Sequence, residues 1–228
     1  LKRISDYQRE QLEALRAVRA HLAQLPAVEI AELNDSVSAY LAFRRDLDAF
    51  LASHFFHTCN DHCFRSQASA CCSKDGIIAF FADVAVNAIV ATASVSRALD
   101  SLEAALAVPN SGPKCVFLGP TGCLWTVRPI VCAMFLCDRA KAAVFAGRDD
   151  LRRQWRQLRR REKRFKWPDR PVLFDDIEAF FIRRGVISTL MYFHNSPGLL
   201  RIKRNAGLMT PAEHVGKPHL RKSISDGR

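Results

Sequence analysis

All eight cysteines of this chain fall in two short windows. Cys59, Cys63, Cys71 and Cys72 lie in "CNDHCFRSQASACC", and Cys115, Cys123, Cys132 and Cys137 lie in "CVFLGPTGCLWTVRPIVCAMFLC". Such segregation leaves three readings: a metal-thiolate site, a disulfide network, or reduced cysteines used as small apolar side chains. A chain of 228 residues that is 49% apolar can bury a core of its own, so it has no need of the several bridges that staple small secreted domains. Metal-thiolate sites do require clustering, because soft ligands must converge on one centre and short spacings lower the closure cost. Cys59 and Cys63, four apart, can share one face of a helical turn, whereas the adjacent side chains of Cys71 and Cys72 diverge and suit different roles. Neither window holds the paired C-x2-C knuckles of zinc ribbons or the run of bacterial ferredoxins. The spacing therefore argues for metal without choosing which.

Around these windows the pattern is helical. Leu12, Leu15, Val18 and Leu22 recur at three-to-four spacing up to Pro26, and Leu33, Val37, Leu41, Leu47 and Leu51 continue it, with Asn34 or Asp35 as an internal break. The two segments read as a helical hairpin leading into the first cysteines. A helix from about Gly76 runs to the loop "PNSGPK". Another resumes at Asp138 and passes through the basic run, and one from "LFDDIEAFFIRRG" is capped by Asp175 or Asp176 and ends at Gly185. The punctuation by Gly119, Pro120, Gly122 and Pro129 predicts turns and short elements in the second cysteine group. The tail from His194 reads as increasingly loop-like. The resulting division is a helical hairpin over 1–56, a cysteine-cluster metal-binding core over 57–137 and C-terminal helices over 138–228, forming one globular unit.

The longest apolar stretch, "GIIAFFADVAVNAIVATASV", carries Asp83 and Asn87 near its middle, so it reads as a buried core helix rather than a membrane span. The first 25 residues are charged throughout and lack the apolar centre of a leader peptide, which makes the cytoplasm the expected compartment. The chain does not begin with Met, which leaves open whether residues upstream were removed.

The net charge is +11, and "LRRQWRQLRRREKRFKW" alone holds nine Arg or Lys against one Glu. The simplest reading is a solvated helix that docks Leu151, Trp155, Leu158 and Phe165 on the core while its arginines face water. The run also suits an acidic protein partner; without a helix-turn-helix, RNA-recognition or zinc-finger pattern beside it, nucleic acid is not the expected partner.

The order of Cys115, Leu118, Gly122, Cys123, Arg128, Pro129, Cys132 and Cys137, preceded by a C-x3-C and a Cys-Cys pair, resembles the YkgJ-type cysteine-cluster family described as zinc- or iron-chelating. The first group is spaced more widely than that family's usual C-x2-C. The likeness covers residues 59–137. A similar cluster in flagellin lysine-N-methylases, linked to an iron-sulfur centre, implies iron-sulfur chemistry and raises methyl transfer as an alternative.

The expectation is thus a mainly α protein, a helical bundle whose two cysteine-rich loop regions are joined by a buried helix and clustered around metal. One or two 4Fe-4S clusters are the expected cofactor, with Zn2+ as the alternative. All eight cysteines are candidate ligands. Arg128, His194 and Arg201 are candidates for binding a substrate or cofactor, and Arg65, Lys74, Lys114, Arg128 and Arg139 for tuning sulfur by charge-assisted hydrogen bonds. His57 and His62 read as outer-sphere or exposed. The expected role is redox or electron transfer with a redox partner. The alternatives are a cluster-dependent enzyme, such as a protein lysine methyltransferase-like protein, and a structural zinc protein that binds a partner.

Overall fold

The computed structural model describes residues 3–61, 65, 72, 79–90, 93–119, 122–166 and 172–192. The protein is mainly helical: the described residues form eight α-helices and one two-stranded hairpin. Helix α1 (Asp6–Leu22) opens on a reciprocal cap, in which the Ser5 hydroxyl accepts the Gln8 N–H at 3.2 Å and Gln8 Oε1 accepts the Ser5 N–H at 3.4 Å. Its stripe of Leu12, Leu15 and Val18 is buried, as the periodicity predicts. Pro26 stands at the start of helix α2 (Ala27–Cys59), where its fixed φ costs no hydrogen bond. The expected break at Asn34 or Asp35 does not occur. Asn34 Nδ2 instead donates to the Ile30 carbonyl at 2.8 Å, one turn back, so its amide is satisfied within an unbroken helix.

Helix α3 (Phe81–Ile89) is buried on every side and forms the centre of the molecule. Helix α4 (Ala93–Ala107) is amphipathic, burying Leu99, Leu102 and Leu106. The expectation of one continuous helix is corrected at Val90, whose ψ of 7° leaves helical geometry. A segment that is apolar all round and one that is apolar on a single stripe need different surroundings, and the break supplies them. Helix α1 packs on α3 and α4, while α2 packs on α3 and on later helices, so the first two helices find partners elsewhere rather than closing a hairpin on each other. Arg16 and Arg19 of α1 clasp Glu103 and Asp100 of α4 at 2.7–2.8 Å across that contact.

Strands β1 (Leu118–Gly119) and β2 (Gly122–Cys123) form an antiparallel hairpin with Leu118 opposite Cys123. The short helix α5 (Ile130–Ala133) follows Pro129. What reads in sequence as one helix from Asp138 is two, α6 (Asp138–Phe145) and α7 (Asp149–Lys166), because Gly147 turns the chain at φ +66°. Helix α8 (Leu173–Arg183) bears out its predicted limits: Asp175 Oδ2 accepts the Val172 N–H at 2.9 Å at its start, and Gly185 at φ +77° follows its end. A 3-10 turn spans Thr189–Tyr192. The predicted loop-like tail lies outside the described residues.

Aromatic rings join α2 to the C-terminal helices. Phe43 stacks on Phe165 at 5.4 Å, Phe50 on Trp155 at 5.9 Å, and Phe55 meets Phe145 edge-on at 5.5 Å. Each such pair contributes about 0.5–1.5 kcal/mol beyond the area it buries. Among the described residues no helix is long and apolar enough to cross a membrane.

Candidate functional site

The two cysteine groups meet. The backbone N–H of Cys115 donates to the carbonyl of Cys72 at 2.8 Å, a direct bond between windows more than 40 residues apart. Beside it lies a cavity of about 600 Å³ whose wall carries Cys59, Cys72, Cys115, Cys123 and Cys132. Each arrives on a different piece of structure. Cys59 is the last residue of α2, Cys72 sits in a turn, Cys115 precedes the hairpin, Cys123 lies in β2 and Cys132 on α5. The six described cysteines are present as thiols.

Cys137, expected as a ligand with the rest, caps the start of α6 and is not part of this wall. Cys63 and Cys71 lie outside the described residues, as do His62, Lys74, His194 and Arg201. Arg128 is on the wall, where it pairs with Asp48 at 3.3 Å. Arg65 pairs instead with Asp61 at 3.5 Å, and His57 is exposed on the outer face of α2. Among the described residues, no group of three or more His, Cys, Asp or Glu is placed to hold a metal ion.

The segment between β2 and α5 is held by buried polar side chains on the central helices. Asn87 Nδ2 donates to the Val127 carbonyl at 2.8 Å, and its Oδ1 accepts the Val127 N–H at 2.9 Å. Asp83 Oδ1 accepts the Ile130 N–H at 3.0 Å, while its Oδ2 accepts that of Phe80 at 2.9 Å. Arg44, only 2% exposed in α2, donates through Nη1 to the Arg128 carbonyl at 2.6 Å and to the Tyr40 hydroxyl at 3.1 Å. The two polar residues that argue against a membrane span therefore fix the Val127–Ile130 backbone that leads to Cys132. On the other side, Gln8 of α1 donates to the carbonyls of Leu106 and Val108 at 3.2 and 2.7 Å, and Asn110 braces the loop before Cys115 through the Lys114 carbonyl at 2.7 Å.

Burial pushes the Cys115 thiol up to about 12, with neighbouring Cys72, Cys123 and Cys132 adding to it and the Phe117 N–H, 3.4 Å from Sγ, opposing it. Burial also raises the Cys123 thiol. That shift is opposed by the Trp125 N–H and the Arg128 guanidinium. Without a cation such thiols stay protonated, so a metal that binds them must displace protons.

Two residues of this site carry no signal in the sequence. The Tyr7 hydroxyl, from α1, is buried without a hydrogen-bond partner among the described residues, and its ionisation is suppressed by burial and then by Cys115 and Cys132. Trp125 lines the cavity, and its indole N–H is also buried without an acceptor among them. Only the spacing of Trp125, two residues after Cys123, could have drawn attention to either. Compared with known proteins, the chain matches no family model, no curated protein and no solved structure.

Proposed function

We propose that the cavity between the two cysteine groups binds an iron-sulfur centre of the 4Fe-4S type and that the protein serves a redox or electron-transfer role. The observation that carries this reading is the meeting of Cys59 and Cys72 with Cys115, Cys123 and Cys132 around one cavity of about 600 Å³. A zinc ion needs four donors at roughly 2.0–2.3 Å from a single point. The described thiols reach the cavity wall from five different pieces of structure, an arrangement that a polynuclear group taking its ligands at separate corners could use. When bound, such a cluster supplies one-electron chemistry. The chain's own contribution is to hold the thiolates apart, to exclude water with Phe117, Leu136 and Phe55, and to offer buried donors: the Phe117 N–H, the Trp125 N–H near Cys123 and the Trp125 indole. Thiols at six described positions fit a reducing compartment, the cytoplasm.

Likeness to the YkgJ-type family is part of this proposal, resting on the residue order from Cys115 to Cys137. A second reading, a cluster-dependent enzyme, draws on Arg128, which places a cation on the wall of the same cavity.

The test is a visible absorption spectrum of anaerobically purified protein with iron, zinc and acid-labile sulfide counted per chain. A broad band near roughly 400 nm that bleaches with dithionite, with iron and sulfide in equal amounts, is the expected result; about four iron per chain indicates one cluster and about eight indicates two. Colourless protein with zinc and no sulfide sinks the redox reading and leaves a structural zinc site.

A further inference from the structure

Helix α7 turns its apolar residues inward and its cations outward. Leu151, Trp155 and Leu158 are buried, and Phe165 packs between Tyr40 and Phe43. The opposite side carries an exposed run that begins at Arg152, includes Lys163, and has Arg153, Arg156, Arg159, Arg160 and Arg164 as its body. At 100° per residue these seven cations occupy a continuous arc of about 140°, and at 1.5 Å per residue they extend about 18 Å along the helix. Their density, about one charge per 2.6 Å, approaches the one per 1.7 Å of duplex DNA.

The five body arginines form no ion pair among the described residues. Arg161 is drawn aside to Asp46 at 2.7 Å, and Lys166 to Glu162 at 3.1 Å. Glu162, the acidic residue inside the run, is nearly buried on the core side, and Asp149, at the start of α7, pairs with Arg152 at 3.1 Å, so no carboxylate lies among the five body arginines.

We infer that this face of α7 is a docking surface for nucleic acid, engaged through the phosphate backbone without reading base sequence. What the face lacks matters as much as its charge. Protein interfaces gather their energy at an apolar or aromatic centre, and membrane-surface helices need apolar anchors. Here every aromatic and aliphatic residue of α7 is committed to the core. Six arginines with one lysine, on a rigid helix narrow enough for a major groove, match a row of phosphates, for which the affinity is electrostatic. The expectation against nucleic acid rests on missing sequence motifs, and backbone-only recognition requires none.

Fluorescence anisotropy of a labelled mixed-sequence duplex of about 20 base pairs, titrated with the full chain between roughly 50 and 200 mM salt, tests this. The expected result is saturable binding that weakens steeply with salt. The variant R153E/R156E/R160E should bind at least about tenfold more weakly at low salt, with the log–log slope reduced by about 0.9 for each phosphate no longer neutralised. These side chains are exposed and unpaired, so helical content and thermal midpoint should hold. R153Q/R156Q/R160Q gives the same comparison should the reversal disturb folding. The inference is overturned by absent binding at the lowest salt, by affinity indifferent to both variants, or by tighter binding to a polyglutamate peptide or phosphatidylserine vesicles than to the duplex.

Discussion

Asn87 engages both backbone groups of Val127 with one side chain, donating to the carbonyl at 2.8 Å and accepting from the N–H at 2.9 Å. It is 1% exposed and also donates to the Asp83 carbonyl at 2.9 Å within its own helix. A side-chain amide used in this way replaces a missing strand: it satisfies a loop that has no sheet to join.

Replacing Asn87 by Leu keeps the number of side-chain heavy atoms and removes both bonds, leaving the Val127 N–H and C=O unpaired in a part-buried site. A loss of about 2–4 kcal/mol is expected, since each orphaned group costs about 1–3. Urea unfolding should show it as a lowered midpoint with an unchanged slope. A loss below about 0.5 kcal/mol would mean that the loop is held by other contacts.

Burial raises the Asp83 carboxyl from 3.8 to about 6, opposed by the N–H groups of Phe80 and Ile130 and then by Arg44. A folded value above the unfolded one means that this group stabilises the fold fully below about pH 4 and that the contribution is lost as pH rises through about 6. The loss is on the order of 3 kcal/mol for a fully buried group. Asp83→Asn does not titrate, so the stability difference between variant and wild type should move in the variant's favour by about that amount between pH 4 and 7. A flat difference across the range refutes the raised value.

Cys115→Ser and Cys132→Ser should each lower iron and sulfide per chain by half or more, because both side chains line the cavity. Cys137→Ser should lower them less, since that side chain is not among those lining the cavity. Equal loss in all three would place Cys137 among the ligands, as the cysteine pattern alone expects.

Gly122 has φ +130°, a conformation that side chains rarely adopt, at the point where the hairpin returns to Cys123. Space is not the constraint, because a Cβ there would meet nothing within 4 Å. Gly122→Ala should therefore cost about 1–3 kcal/mol through backbone strain and shift Cys123. Thermal unfolding paired with metal content separates the two effects; an unchanged midpoint would contradict the strain.

Much of the architecture was legible in the residues. Helical periodicity is a local property fixed by 3.6 residues per turn, so Leu12, Leu15 and Val18, or Leu151, Trp155 and Leu158, declare their buried faces without reference to the rest of the chain. Gly185 announces the end of α8 for the same kind of reason. The segregation of the cysteines marks where the chemistry is to be sought. Breaks within apolar or polar runs were less legible. Whether Asn34 interrupts a helix or bonds back into it, and whether Val90 ends one, depends on the packing around them.

By itself, then, the sequence determined the helical class, the inward stripes, the cationic outer side of α7 and the two cysteine windows, because each follows from neighbours along the chain. Tertiary structure alone decided that the Cys115 N–H donates to the Cys72 carbonyl, that Cys59, Cys72, Cys115, Cys123 and Cys132 line one cavity, that Tyr7 lies near Cys115 and Cys132, and that Asp83 and Asn87 serve a loop some 40 residues away. These pairings come from packing a fully buried helix against its surroundings, and buried polar groups take whichever partners that packing brings within reach.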